Sequence, residues 1–152
     1  LFMAVGVIYD RLHTREIDRY GGLSINMPKY SLFFMLFTMA SVGLPGTSGF
    51  IGEFMVILAA VKVNFWFAML AATTLIFGAA YTLWMVKRVI FGEVANHHVA
   101  ELKDINKREF VFLALLAVAV LSMGIYPKPY TDVMHTSVND LTRHVAKSKV
   151  PR

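Results

Sequence analysis

The chain has 152 residues, 57% of them hydrophobic and 16% charged, with a formal net charge of +5 and no cysteine. Ordinary soluble domains are about 45–50% apolar and about 25% charged, so this composition argues against a soluble fold. Without cysteine the chain cannot ligate an iron–sulfur cluster through thiolates or form a disulfide, and its basic residues flank apolar runs instead of forming an aromatic-interleaved stripe, which argues for membrane topology over nucleic acid.

Leu1 to Tyr9 is apolar and opens without an initiator methionine, a basic leader or a small-residue cleavage site. At 1.5 Å per residue it covers about 14 Å, half of a bilayer core, which predicts over residues 1–9 the end of a transmembrane helix begun upstream. Residues 10–29 carry Arg11, Arg15, Arg19 and Lys29 and close with Gly21, Gly22 and Pro28, as an extramembrane loop does. From Tyr30 to Val61 the only residue ionised at neutral pH is Glu53. One straight helix over residues 30–62 would be about 50 Å long, against a hydrocarbon core of about 30 Å. Gly43, Pro45, Gly46 and Gly49 supply an interruption, because proline removes a helix hydrogen bond and glycine tolerates unwound backbone. Two half-helices are expected around a break at 43–49. Unwound backbone at membrane depth survives only inside protein or beside a watery cavity, so a discontinuous helix itself points to a pathway.

Residues 65–86 form a cleaner span, with Trp66 and Trp84 spaced as two interfacial anchors and Lys87 and Arg88 as its stop. A second loop is expected over 87–109 and a short span over 110–126, ended by Pro127 and Pro129. In the tail, 127–152, Met134, Val138, Leu141 and Val145 recur at helical spacing, which fits an interfacial helix; a frayed polar end is the alternative for 147–152. The fold class read from these elements is all-α, a polytopic transmembrane bundle with one discontinuous helix and an amphipathic tail. Basic residues concentrate in the two loops, which places both in the cytoplasm or matrix and the tail opposite.

Glu53 is the leading candidate for chemistry, since an ionisable group inside a span is costly and faces a bundle interior or an ion path. The alternative is a permanently protonated acid bonding a neighbouring helix. If Ser48 or Gly49 caps the second half-helix, Glu53 lies near its positive end, where burial and the helix dipole act in opposite senses and make its protonation switchable. Thr47, Ser48 and Tyr81 are candidates for lining a hydrated path, together with Thr38, Ser41, Thr73, Thr74 and Thr82; each could equally bond a helix carbonyl. Lys62 is either an exit-side partner or a snorkelling interfacial cation. Arg15 is either a topology determinant or a charge partner of the bundle. Gly43, Gly46, Gly49 and Gly52 recur every third residue, yet no strand precedes them, so they form no dinucleotide fingerprint. His97 and His98 lack further ligand spacing, and no metal site is expected.

The run Leu44-Pro-Gly-Thr-Ser-Gly-Phe-Ile-Gly-Glu-Phe-Met55, with Tyr9-Asp-Arg-Leu-His-Thr-Arg15 before it and Tyr126-Pro-Lys-Pro129 after it, resembles the antiporter-like chain M (chain 4) of proton-pumping NADH:quinone oxidoreductase, respiratory complex I. The resemblance covers essentially the whole sequence and corresponds to the C-terminal part of such a chain, so it implies a partial antiporter-like fold. It further implies that the broken helix contributes to a proton output half-channel, with Glu53 matching the glutamate of the family's Gly-Glu-Phe motif as a proton relay. Chains L and N resemble it less, carrying a lysine where Glu53 stands. Arg15 matches the arginine of a His-Thr-Arg motif and would be a modulator. The implied partners are the other membrane subunits of complex I, the lipid bilayer and protons; NADH, flavin, iron–sulfur clusters and quinone are expected on other subunits, with no cofactor on this chain.

Related architectures leave two alternatives: a subunit of an Mrp-type cation/proton antiporter or of a membrane-bound hydrogenase. A purely structural membrane anchor is the alternative from another class. The expected location is a bacterial inner membrane, favoured over the mitochondrial inner membrane.

Overall fold

The computed structural model describes residues 1–94 and 97–148, except the side chains of His98, Lys147 and Ser148. Residues 149–152 of the expected tail, and the side chain of the second member of the His97–His98 pair, therefore lie outside what is described. The chain folds as helices: α1 (Phe2–Leu12), a 3-10 turn (Ile17–Arg19), α2 (Leu23–Asn26), α3 (Pro28–Ser41), α4 (Ser48–Val63), α5 (Phe65–Val89), α6 (His97–Ala100), α7 (Lys107–Ile125) and α8 (Lys128–Ser148). Among the described residues there is no strand, and the all-α reading holds.

Local chemistry sets the boundaries. Pro28 opens α3 at the first turn, where its fixed φ suits a helix and its missing N–H is not needed. The amides of Lys29 and Tyr30 then donate to the Asp104 carboxylate at 3.0 and 3.2 Å. Asn64 breaks the chain between α4 and α5, and its side chain accepts from the Trp66 amide at 2.9 Å, capping α5. At α7, Glu109 reaches back to accept from the Asn106 amide at 2.7 Å. α5 continues past residue 86, through Lys87 and Arg88, to Val89. Two cations suit a helix C-terminus, and Arg88 also pairs with Asp18 and stacks on Trp84 at 4.7 Å.

The core lies at one end of the bundle, where α1, α3 and α7 meet the two loops. Tyr30, Leu23, Met27, Ile90, Val99 and Leu113 are fully buried, and the Tyr30 hydroxyl donates to the Ala4 carbonyl at 2.9 Å. The loops that the sequence separates come together here. Ser24 N–H donates to Ile90 O at 3.1 Å and the Asn26 amide to Val99 O at 3.0 Å. Burial raises the Tyr20 phenol above its ordinary value, against a smaller opposing effect of Arg15, so this ring is a neutral donor, bonded to the Thr14 carbonyl.

Away from that end the apolar surface is open. No residue of α4 is buried, and Phe54, Val56, Val63, Phe65, Trp66 and Phe77 are all exposed. α5 and α7 are each long and apolar enough to cross a membrane. Exposed apolar helices of that length are what a bilayer or neighbouring membrane helices would cover.

Candidate functional site

The site forms where α3 stops and α4 begins. Gly43 and Gly46 both adopt left-handed backbone, φ +83° and +92°, with Pro45 between them. Four amides of the break find carbonyl partners: Val42 donates to Thr38 O at 3.0 Å, Gly43 to Ala40 O at 3.3 Å, Leu44 to Met39 O at 3.0 Å and Thr47 to Leu44 O at 3.1 Å. Proline has no N–H to satisfy, which lowers the cost of the break in an apolar setting. Gly49 packs on the Ala40 carbonyl so closely that any Cβ would collide with it, which holds the two half-helices against each other.

Thr47, not Ser48 or Gly49, is the N-cap of α4, and its hydroxyl donates to Leu44 O at 2.7 Å instead of capping an amide. Glu53 is therefore the sixth helical residue, beyond the first turn in which the helix dipole acts with force. The expected dipole contribution shifts by one to two residues and weakens. What the fold provides instead is a seat on glycine: a Cβ at Gly43 would stand 2.5 Å from Glu53 Oε2. That oxygen is buried and has no hydrogen-bond partner among the described residues.

Beside it lies a cavity of about 630 Å³ between α4 and α5, lined by Ser41, Ser48, Glu53, Thr74, Gly78 and Tyr81 among others. Of the residues singled out in the sequence, the fold thus brings together Glu53, Ser41, Ser48, Gly49, Gly52, Thr74 and Tyr81. Thr47 faces a second, mainly apolar cavity of about 460 Å³ with Leu44 and Leu121. Lys62 is exposed in the last turn of α4, about 13 Å along the axis from Glu53. Arg15 is exposed near the loops, 4.9 Å over the Tyr9 ring. Both stand apart from the cavity. Thr73 and Thr74 donate to helix carbonyls, Leu70 O and Ala71 O, each at 2.6 Å. Among the described residues no three His, Asp or Glu side chains come together as a metal site would require.

Two contacts escaped sequence reasoning. α7 lies directly on the break at Gly124, where a Cβ would collide with the Gly46 carbonyl oxygen and Thr47 Cα. A glycine inside an apolar span, just before its proline stop, was the available signal. The other is Arg11, half-buried, whose guanidinium donates to Val7 O at 2.8 Å and pairs with Glu109 at 2.7 Å. Its place one turn after Val7 on α1 was a visible cue that it faces the bundle.

These features define a class: an all-helical membrane protein with a discontinuous helix holding one carboxylate beside a cavity. Residues 1–78 match the family described as NADH:quinone oxidoreductase/Mrp antiporter, TM. The chain belongs to that family. It is 49% identical over 144 residues to NADH-quinone oxidoreductase subunit M of Rhodobacter capsulatus, covering 95% of this chain and 28% of the relative. It is 48% identical over 145 residues to NADH-ubiquinone oxidoreductase chain 4 of Arabidopsis thaliana, covering 95% and 29%. Among solved structures it is similar to a chain of respiratory complex I from Thermus thermophilus with bound NADH, with a TM-score of 0.77 and 37% identity over 83% of this chain and 26% of that one. The chain thus spans less than a third of the length of these relatives.

Proposed function

We propose that this chain is part of the proton-translocating membrane subunit of an NADH:quinone oxidoreductase, and that Glu53 is its proton-relay carboxylate near the output side. The observation that carries this reading is the seat of Glu53: an ionisable group at a break in a membrane helix, one oxygen against Gly43 and the side chain on the wall of a cavity. A carboxylate there passes a proton by becoming neutral and then charged again. Moving one charge through 100 mV takes about 2.3 kcal/mol, which is the work each transferred proton must be given.

Position supports the output assignment. α7 starts beside the basic loops, where Arg11 meets Glu109, and reaches the break only at Gly124, about 25 Å further along its axis. With the basic loops in the cytoplasm or matrix, Glu53 lies in the half that opens to the other side. Ser48 and Tyr81 line the hydrated path; Arg15 and Lys62, at opposite ends, act at most as modulators. Other complex I membrane subunits and lipid cover the exposed apolar faces, while NADH, flavin, clusters and quinone are held by other subunits. The family description also includes Mrp antiporters, in which an equivalent carboxylate would exchange protons against a cation.

The test is Glu53→Gln and Glu53→Ala in the full-length chain within its assembled complex, reconstituted in vesicles. Both variants are expected to assemble and to lose most proton translocation, because glutamine keeps the shape but cannot release a proton. Full translocation by an assembled Glu53→Ala complex would reduce this residue to a packing contact.

A further inference from the structure

We propose that a groove between the starts of α3 and α7 binds an anionic phospholipid, its phosphate between the Lys29 and Lys107 ammonium groups and one acyl chain along α7. The groove has a volume of about 350 Å³ and is lined by Lys29, Ile105, Lys107, Phe110 and Val111. Its two cations occupy the same level of the bundle: Lys29 is the second residue of α3 and Lys107 the first of α7. Since α7 is one of the helices long and apolar enough to span a bilayer, that level is the membrane–water boundary, where lipid phosphates lie.

The charges there are open to a ligand. Among the described residues neither ammonium takes part in an ion pair. The nearby acid, Asp104, is committed to backbone amides, accepting from Lys29 at 3.0 Å, Tyr30 at 3.2 Å and Ile105 at 2.8 Å. Below the lysines the wall turns apolar. Phe110 sets its ring edge-on to Phe33 at 5.3 Å, joining α7 to α3. Val111, Leu115 and Val118 then continue down one face of α7 at 63%, 67% and 67% exposure. Positions i, i+4 and i+7 form one stripe about 10 Å long, a track for an acyl chain directly under a phosphate-binding pair. A zwitterionic lipid would bring its own cation toward the lysines, and an apolar helix would leave both ammonium groups without a counter-ion. Charge complementarity therefore selects an anionic lipid.

The experiment uses the full-length chain in its assembled complex, delipidated in detergent and titrated with phosphatidylglycerol carrying a photoactivatable diazirine in its acyl chain. A matched phosphatidylcholine probe serves as control, and adducts on the peptide spanning residues 110–118 are read by mass spectrometry. Saturable labelling by phosphatidylglycerol is expected, with half-saturation raised about fivefold by Lys29→Gln or Lys107→Gln and about thirtyfold by both. Equal labelling by the two lipids, or labelling indifferent to the double substitution, overturns the proposal. A photoreactive residue at position 111 separates lipid from protein as occupant: adducts to lipid support the proposal, and cross-links to another helix overturn it. Proton translocation is not part of either readout.

Discussion

Gly43 meets two separate demands. Its φ of +83° lies where L side chains are disfavoured, and the space a Cβ would fill is occupied by Glu53 Oε2. Gly46 meets only the first, since nothing lies within 4 Å of its Cβ position. The pair separates backbone strain from displacement of the carboxylate. Alanine at either position is expected to destabilise the break by about 1–2 kcal/mol, visible as a small fall in the thermal midpoint of the complex. Only Gly43→Ala should also depress proton translocation strongly. Equal translocation by the two variants would show that the seat of Glu53 does not matter to its work. The sequence made both glycines legible as breakers, because turn chemistry is local. It did not show which one touches Glu53, since that contact depends on how the first turns of α4 pack against the end of α3.

At the scale of elements, the two half-helices were legible because α3 and α4 together are too long for a bilayer and the stretch Gly43-Leu-Pro-Gly46 combines the proline and glycines that break a helix. The cap was misplaced by one to two residues. Ser48 and Gly49 suit a helix N-terminus on local grounds, yet Thr47 takes the position while giving its hydroxyl to Leu44. α7 was legible as a span, but its clamp on the break was not, because a long-range contact between two backbones leaves no periodic trace. The clamp predicts that Gly124→Ala forces α7 away from Gly46 and Thr47, at about 1–3 kcal/mol as in other overpacked sites. Hydrogen–deuterium exchange of the assembled complex in detergent should then be faster at the amides of residues 42–47. Gly78→Ala, on the cavity wall with nothing within 4 Å of the added methyl, is the control and should leave that exchange unchanged.

Across the whole molecule, composition and span length made the all-α membrane class legible, while the association of the two loops was visible only indirectly, through their shared positive charge. The contacts that join them, Arg88 with Asp18, Ser24 with Ile90 and Asp104 with the start of α3, connect residues about 70 positions apart and obey no local pattern. The open faces of α4 and α5 carry large side chains such as Phe67, Ile76 and Phe77. At about 25 cal/mol per Å² of apolar area, transferring such faces from water to hydrocarbon is strongly favourable. Alkaline carbonate extraction of cells producing this chain should therefore leave it in the membrane pellet. Recovery in the soluble fraction would mean that those faces are covered by some other means.

The three glycines that crowd the break, Gly43, Gly49 and Gly124, also limit how the site can vary over generations. No smaller amino acid exists, so every missense change at these positions adds at least one carbon where backbone or carboxylate already stands. At such positions even the smallest change, to alanine, already carries a cost, and larger side chains carry more. Inherited fine-tuning of the cavity runs more freely through side chains that line it from α5, such as Thr74 and Tyr81.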